Sequence, residues 1–270
     1  MCEHALIGEI NLIRMKHLIP LLFLAVANHV IVFGFILIYK SKKVRRIYNL
    51  EASQDQLKEE LNNSYLTSPL HSFLIWLALY LNFLKDSDTN WINFTYTFLI
   101  VFVWTEIWHY FSHRAMHHKA LLFIHREHHK SRITTPLSSI SFSFLEKFLF
   151  SFGIIVPVAF LSWVIPISFY GVFGYYLFYF VTNALGHSNI EIREPGYART
   201  WIGKVINTPA YHAMHHARYV KNYGLITSTL DRMFNTMWED YDKVQSRAAS
   251  DQPLTKLSER LIPKEGVTRK

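Results

Sequence analysis

Long uncharged stretches alternate with short charged ones along this chain. The first runs from Leu18 to Ile38 and holds twenty-one residues without a charge. At a rise of about 1.5 Å per residue, a helix of this length crosses a hydrocarbon core of about 30 Å. Five basic residues come next: Lys40, Lys42, Lys43, Arg45 and Arg46. By the positive-inside rule they mark the cytoplasmic end of the first predicted span.

Later apolar stretches predict further passes. Residues 65–84 carry no charge and form the second predicted span, and residues 85–90 form a polar outer turn. The third predicted span begins at Trp91 and returns the chain to the cytoplasmic side. Between Lys147 and Glu191 lie forty-three uncharged residues, enough for two helices with a turn near Pro166. An even number of passes then places the histidine-bearing segments on one face of the membrane.

This pattern predicts an all-α fold, an integral membrane helical bundle of about four to five membrane helices with a cytosolic histidine-rich helical cap. We expect three parts: residues 1–66 as a membrane span with a basic and polar linker, residues 67–241 as a membrane-embedded domain that carries the histidine clusters, and residues 242–270 as a polar cytosolic tail. The expected location is a bacterial inner membrane or the endoplasmic reticulum, with the histidines on the cytoplasmic face.

Composition narrows the possible functions. Half of the residues are hydrophobic and 18% are charged, which is typical of a membrane protein. The net charge is +8, but the basic residues are spread between apolar stretches and do not form a nucleic-acid-binding surface. Cys2 is the only cysteine, so an intramolecular disulfide, a cysteine zinc finger and an iron–sulfur cluster are all excluded.

Histidines carry the candidate chemistry. Eleven of the fifteen fall between His109 and His216. His113 and His117 stand at i and i+4 and share one helix face, so both can reach one metal ion. The pattern His-x-x-His-His occurs twice, and each copy offers three ligands that can serve two metals. Its members are His125, His128 and His129 in the first copy and His212, His215 and His216 in the second.

The remaining histidines are assigned individually. His117 is preferred over His118 as a ligand, because i+4 lies more directly above His113 than i+5 does. His187 stands alone, and its place at the cytoplasmic end of a span favours a ligand role. His109 lies within the third span, where we favour a structural or orienting role. Four isolated histidines are interpreted as structural: His4, His17, His29 and His71.

The number of imidazoles indicates which metal they hold. Imidazole suits zinc, copper, iron and nickel, but nine histidines exceed what four-coordinate zinc needs. Two six-coordinate ions can take all nine and keep positions open for water and dioxygen, which favours two irons. No His-Glu-x-x-His occurs, which disfavours a zinc protease.

Taken together, these motifs resemble the fatty acid hydroxylase superfamily, also called the sterol desaturase family. The resemblance covers residues 104–241. Besides the histidine runs, it rests on Glu106 with Tyr110, His187-Ser-Asn189, Thr208-Pro209, Asn222-Tyr223-Gly224 and Leu230-Asp231-Arg232-Met233-Phe234. Some branches carry a further histidine where this chain has Asn183.

The resemblance implies a membrane-bound non-haem di-iron enzyme that uses dioxygen to hydroxylate or desaturate a C–H bond of a lipid, such as a sterol or a fatty acyl chain, in lipid biosynthesis. The expected iron ligands are His113, His117, His125, His128, His129, His187, His212, His215 and His216. The side chains expected to orient them are Glu106, His118, Asn183, Asn189 and Asp231.

Electrons must come from outside, because the sequence has no flavin or haem motif. A cytochrome b5-like protein or a ferredoxin with its reductase would suit the basic cytoplasmic face. Three alternatives stay open: a membrane metal-ion transporter or metal-binding protein, an inactive scaffold, and, within the enzyme class, a sterol desaturase or carotenoid hydroxylase. Transport is disfavoured because the histidines lie beyond the helix ends rather than at mid-membrane.

Overall fold

Helices form the regular structure of this protein, and the all-α prediction is confirmed. The computed structural model describes residues 2–41 and 43–261, and no strand longer than an isolated bridge occurs among them. The helices are α1 (Cys2–Tyr39), α2 (Gln54–Thr67), α3 (Leu70–Tyr80), α4 (Trp91–Met116), α5 (Leu122–His125), α6 (Phe144–Leu161), α7 (Phe169–Gly186), α8 (Pro209–Arg218), α9 (Thr229–Met233) and α10 (Tyr241–Ala249).

Two helices in the described part of the chain are long and apolar enough to cross a membrane. They comprise residues Lys16–Tyr39 of α1 and Phe144–Leu161, the whole of α6. The first also exposes large apolar side chains along its outer face, among them Phe23, Val26 and Val30. A continuous apolar face of this kind needs a lipid or protein environment, so the helix is suited to a position at the edge of a membrane bundle.

The second predicted span is wrong as a single helix. The stretch 65–84 is interrupted at Pro69, between the end of α2 at Thr67 and the start of α3 at Leu70. Proline lacks the N–H group that would continue the helical hydrogen-bond ladder. The eleven residues of α3 extend only about 16 Å and are too short to cross a hydrocarbon core alone.

Side-chain caps set where the longer helices begin. Asn90 accepts hydrogen bonds from two backbone N–H groups in the first turn of α4. Ser143 and Ser168 do the same at the starts of α6 and α7, where each hydroxyl accepts one N–H. These short polar residues satisfy N–H groups that have no partner within the helix.

Helix α7 lies at the centre of the bundle and packs against α1 and α4. Gly171 makes the contact with α4 possible, because a Cβ atom there would come within 2.8 Å of the carbonyl oxygen of Phe94. Buried aromatic residues of α7, including Tyr175, Tyr176 and Phe180, fill the space between the helices.

The two ends of the bundle differ in composition. At one end, Asp86 accepts hydrogen bonds from the His17 ring and from the backbone of Phe169, which joins α1 and the start of α7 to the turn before α4. The histidine-bearing turns all lie at the opposite end, where α4 and α7 finish. This arrangement follows from the alternating directions of the long helices.

The C-terminal segment is not the appendage that its polarity suggested. Tyr241, Val244 and Ala248 of α10 are buried in a second core with residues of α8, and Leu254 exchanges backbone hydrogen bonds with Ile47 and Asn49. The segment is thus part of the histidine-bearing end at least as far as residue 261. Lys42 of the basic cluster and residues 262–270 of the predicted tail lie outside the described residues.

Candidate metal centre

Five helical elements present the nine candidate ligands. His113 lies in the last turn of α4, and His117 caps that helix. His125 ends α5, and a 3-10 helix over His128–Lys130 follows it. His187 caps α7, and α8 carries His212, His215 and His216.

The structure brings these nine side chains together in two groups. We call His113, His117, His125, His129 and His215 the five-histidine group, and His128, His187, His212 and His216 the four-histidine group. Within each group, one ring nitrogen of every histidine lies within 4.8 Å of the others. The two groups are adjacent, because the rings of His129 and His216 stack with centroids 4.7 Å apart. The first His-x-x-His-His run contributes to both groups, and so does the second.

Six of the nine rings are fixed from outside through Nδ1. In the five-histidine group, Nδ1 of His113 lies 2.9 Å from the Tyr223 carbonyl oxygen, that of His125 lies 2.6 Å from Glu146 Oε1, and that of His215 lies 2.7 Å from the Lys221 carbonyl oxygen. In the four-histidine group, the distances are 2.9 Å for His128 to the Ser141 carbonyl oxygen, 2.8 Å for His187 to Ser138 Oγ and 2.9 Å for His216 to the Ser131 carbonyl oxygen.

These contacts determine which nitrogen carries the proton. Carbonyl and carboxylate oxygens only accept, so the facing Nδ1 must be the N–H donor. Ser138 Oγ donates its own hydrogen to the Thr135 carbonyl and therefore accepts from His187. In all six rings the inner nitrogen, Nε2, is left with a lone pair, which is the tautomer that binds a metal.

The inner nitrogens face one another at short range. His187 Nε2 lies 2.9 Å from His212 Nε2, and His215 Nε2 lies 3.0 Å from His129 Nε2. The inner nitrogen of His125 is buried and has no hydrogen-bond partner. The six rings fixed through Nδ1 all turn lone pairs inward, and such lone pairs repel each other in a buried site unless a cation lies between them. The donor set therefore fits two metal ions, one for each group.

Burial keeps these imidazoles neutral. Burial lowers the pKa of His128 to about 4, helped by the nearby Lys147 and opposed by the hydrogen bond to Ser141. For His129, His215 and His216, burial first and neighbouring histidines second hold the pKa well below its ordinary value. Neutral imidazole is the form that a metal ion requires.

The five side chains expected to orient the ligands lie at different distances from them. Asp231 accepts hydrogen bonds from the backbones of Tyr223 and Gly224, and so fixes the loop whose carbonyl holds His113. Asn189 instead pairs with the backbone of Tyr48. Asn183 donates to the Ser139 carbonyl, within the segment that holds the four-histidine group.

The other two are further from the ligands. Glu106 accepts hydrogen bonds from the backbones of Ile226 and Thr227 and from the Thr227 hydroxyl. His118 is exposed, and its Nδ1 accepts a hydrogen bond from the Ala120 N–H.

Sequence analysis missed three side chains that hold the ligands in place. They are Glu146 against His125, Ser138 against His187, and Glu60 one step further out. Glu60 is buried and accepts hydrogen bonds from the hydroxyls of Ser131 and Thr135, and burial raises its pKa. A charged residue at the start of an apolar stretch was the one available signal for Glu146.

The isolated histidines lie away from the two groups. His17 pairs with Asp86 at the opposite end of the bundle, and His71 is buried with its Nδ1 2.8 Å from Ser151 Oγ. His29 stacks on Tyr65. His109 packs on His113, with ring centroids 4.8 Å apart, and lies beside the candidate ligands. The side chain of His4 lies outside the described residues.

A cavity of about 30 Å³ lies against both groups, where α4, α6 and α7 meet. Its walls include His113 and His125 from one group and His128, His187 and His212 from the other. A second, larger groove of about 340 Å³ lies between α4 and α7, with Phe102 and Phe178 in its walls. Leu225 and His212 line both spaces, so a single leucine side chain lies where the groove meets the cavity.

Comparison with known proteins adds an independent finding. Residues 98–236, about half of the chain, match the model of the family described as fatty acid hydroxylase. Two similar curated proteins come from Oryza sativa. Very-long-chain aldehyde decarbonylase GL1-4 of subsp. indica is 29% identical over 147 residues, which cover 52% of this chain and 23% of that protein. GL1-7 of subsp. japonica is 31% identical over 155 residues, covering 53% and 23%.

A third relative comes from Arabidopsis thaliana. Very-long-chain aldehyde decarbonylase CER1 is 27% identical over 145 residues, which cover 53% of this chain and 23% of that protein. The chain thus spans about a quarter of the length of the curated relatives it matches. No solved structure matches this chain.

Proposed function

The chain belongs to the fatty acid hydroxylase family, and on that premise we propose that it is a membrane-bound di-iron oxidoreductase that uses dioxygen to hydroxylate or desaturate a C–H bond of a lipid. The observation that carries the proposal is the convergence of nine neutral imidazoles in two adjacent groups, beside a small cavity at one end of an apolar bundle.

Each group would hold one iron. The five-histidine group and the four-histidine group together leave positions open for water and dioxygen on two six-coordinate ions. When bound, the two irons supply the redox chemistry that activates dioxygen toward an unreactive C–H bond. The protein supplies ligand geometry, exclusion of water and orientation of the lipid.

The walls of the cavity suit an apolar reacting group. Phe142, Phe150 and Leu225 surround it, together with histidines of both groups. A methylene placed there would have imidazoles on one side and aromatic rings on the other. The cavity is small, about 30 Å³, and leaves no room for bulk water. Dry walls protect a reactive centre from side reactions.

The groove between α4 and α7 offers a route from the bilayer. Its volume lies within the range of about 300 to 1,000 Å³ that is typical of ligand sites, and its lining is mostly apolar. A lipid chain lying in it would reach His212 and the inner cavity past Leu225. Lateral entry of this kind would keep the apolar chain out of water at every stage.

Orientation in the membrane and the electron donor are part of the proposal. We place the histidine-bearing end on the cytoplasmic side, because the basic residues after α1 lie at that end. Exposed Arg114, Lys119 and Arg126 adjoin the ligand turns in sequence. An acidic donor, such as a cytochrome b5-like protein or a ferredoxin served by its reductase, would be attracted to them.

Comparative lipidomics tests the function. Cells that express the intact chain are compared with cells that express a His128→Ala, His129→Ala double variant, which removes one ligand from each group. Because the relatives are named for very-long-chain aldehydes, the lipids measured include aldehydes, alcohols and alkanes as well as sterols. His118→Ala is the matched control, since that ring is exposed beside His117.

We expect an oxidised or shortened lipid product with the intact chain and with His118→Ala, and none with the double variant. A product that persists in the double variant would show that the histidine centre is not required for the reaction. Uptake of Fe²⁺ or Zn²⁺ into liposomes by the purified protein, without any lipid product, would favour the transporter instead.

A further inference from the structure

Lys147 is a buried basic side chain beside the candidate metal centre. It lies in the first turn of α6, and only 1% of its surface is exposed. The side chain lines the same small cavity as the histidines of both groups. Lysine is almost never fully buried without a partner, because its ammonium loses its water.

The contacts made by Lys147 do not replace that water. Its Nζ lies 4.8 Å from the centre of the Phe142 ring and 6.0 Å from that of Tyr179, and both rings offer only their faces. No hydrogen bond or ion pair within 4.0 Å joins the ammonium to any residue of the described chain. Aromatic faces stabilise a cation in part but accept no conventional hydrogen bond.

Glu146 does not serve as the partner of Lys147. Neighbouring residues of a helix point in different directions, so residues at i and i+1 do not face each other. The Glu146 carboxylate is turned to His125, with 2.6 Å between Oε1 and Nδ1. One oxygen of the acid is thus engaged with a ligand; the other, Oε2, is buried in the same cavity wall without a hydrogen-bond partner, and it forms no ion pair within 4.0 Å with Lys147.

Two neutral polar side chains of the cavity wall are already engaged in hydrogen bonds elsewhere. Ser112 donates to the Trp108 carbonyl, and the amide nitrogen of Asn183 donates to the Ser139 carbonyl. Lys147 therefore brings N–H donors to a cavity whose other walls are mostly rings and aliphatic side chains, with Glu146, Ser112 and Asn183 among them. A ligand that carries an acceptor oxygen would satisfy them.

We propose that Lys147 binds an acceptor oxygen on the lipid substrate and thereby places the neighbouring carbon against the histidine groups. The substrate is then a lipid with an alcohol, aldehyde or carboxylate oxygen close to the reacting carbon, and not an unfunctionalised hydrocarbon. This inference rests on the proposed function, because it assumes that a lipid enters the cavity.

Binding of matched lipids tests the role of Lys147. The purified, metal-loaded full chain is placed in phosphatidylcholine nanodiscs, and retention of tritiated octadecan-1-ol, stearate and octadecane is measured against empty nanodiscs. The three probes share one chain length, and the first two separate a neutral oxygen from a carboxylate. For the intact chain we expect at least one oxygenated probe to be retained about tenfold more tightly than octadecane, the effect of one charge-assisted hydrogen bond.

Three variants make the test specific. Lys147→Met fills the same space without a donor, and we expect it to lose the preference while its retention of octadecane changes by less than about twofold. Lys147→Gln keeps a neutral donor, and we expect it to lose any preference for stearate first. Lys85→Met is the control, because that lysine stacks on Trp163 at the opposite end of the bundle.

Either of two results would overturn the inference. One is an intact chain that retains octadecane as tightly as both oxygenated probes. The other is a Lys147 variant, Met or Gln, that folds and keeps every preference of the intact chain. If Lys147→Met does not fold, Lys147→Gln decides the matter.

Failure of the proposed function would look different. In that case no lipid product forms in cells, although a preference that depends on Lys147 is still measured in nanodiscs. Conversely, product formation by a chain without any such preference would reject the role of Lys147 and leave the oxidoreductase in place.

Discussion

The five-histidine group and the four-histidine group are supported in different ways. All three outer contacts of the four-histidine group come from one stretch of eleven residues, 131–141, through Ser131, Ser138 and Ser141. The contacts of the five-histidine group come from two distant places, Glu146 on α6 and the carbonyls of Lys221 and Tyr223.

The two groups also differ in charge and in access to solvent. Every described side chain of the four-histidine group is buried, and its outer partners are neutral oxygens. The five-histidine group has a carboxylate partner, and its His117 is partly exposed next to Tyr219. Spare ligands and separate supports should make the five-histidine group tolerant of single changes. The four-histidine group depends on the single segment 131–141, and we expect it to need all four of its ligands.

Removing a ligand from each group should give the largest difference. We expect His216→Ala to lose one of two metal ions and all detectable product, because only three of the four imidazoles then remain in the four-histidine group. His117→Ala leaves four imidazoles and should keep both ions. The metal content of the purified variants, measured by mass spectrometry, tests this prediction. Equal metal losses from the two variants would contradict the proposed difference between the groups.

Removing the charged outer partner should give the next largest effect. Glu146→Gln weakens the hold on His125, and we expect metal affinity to fall by about 10- to 100-fold, as for other outer partners of ligands. Competition with a chelator measures it. Glu127→Gln is the matched control, because Glu127 sits between two ligands in sequence but pairs with exposed Lys130. A similar loss in the control would show a general effect of charge.

A change at Glu60 should act on the four-histidine group from further away. Glu60→Gln loses one of the acceptors that hold Ser131 and Thr135 in the 131–141 segment. We expect a loss of metal affinity of about tenfold, at the low end for an outer partner. Glu59→Gln, on the exposed side of the same helix, should change nothing measurable. The same chelator titration decides between them, and an unchanged Glu60 variant would contradict the dependence on one segment.

The smallest effect is expected at Lys221. His215 is held by the backbone carbonyl of this residue, which every side chain retains. Lys221→Ala should therefore keep metal affinity within about twofold, and lose the ion pair with Glu239 and the contact with the Trp238 ring. A larger loss would mean that the side chain, and not the carbonyl, positions the loop.

Local patterns in the sequence were enough for the helices and for the ligand candidates. A stretch of uncharged residues predicts a helix because the backbone of an apolar segment must satisfy its own hydrogen bonds. The spacing of His113 and His117 predicts a shared face because a helix turns every 3.6 residues. The all-α membrane fold and the family resemblance both follow from such patterns and are confirmed.

Local sequence patterns did not predict contacts between segments that lie far apart in the chain. The sequence did not reveal that α10 packs on α8, since its buried residues are few and spaced among charged ones. The uncharged stretch 65–84 also did not predict the helix break at Pro69. Hydropathy averages over many residues, whereas one proline is enough to interrupt the hydrogen-bond ladder.

What the sequence determined by itself was the all-α membrane character, the histidines near the ends of predicted spans, and the spacings that put two rings on one face. Only the tertiary structure decided the partition of the nine rings into five and four, and the identity of Glu146, Ser138 and Glu60 as their supports. The physical reason is range. Helix formation and side-chain spacing depend on residues a few positions apart, whereas ligand grouping depends on hydrogen bonds between segments up to 110 residues apart, as between His113 and Tyr223.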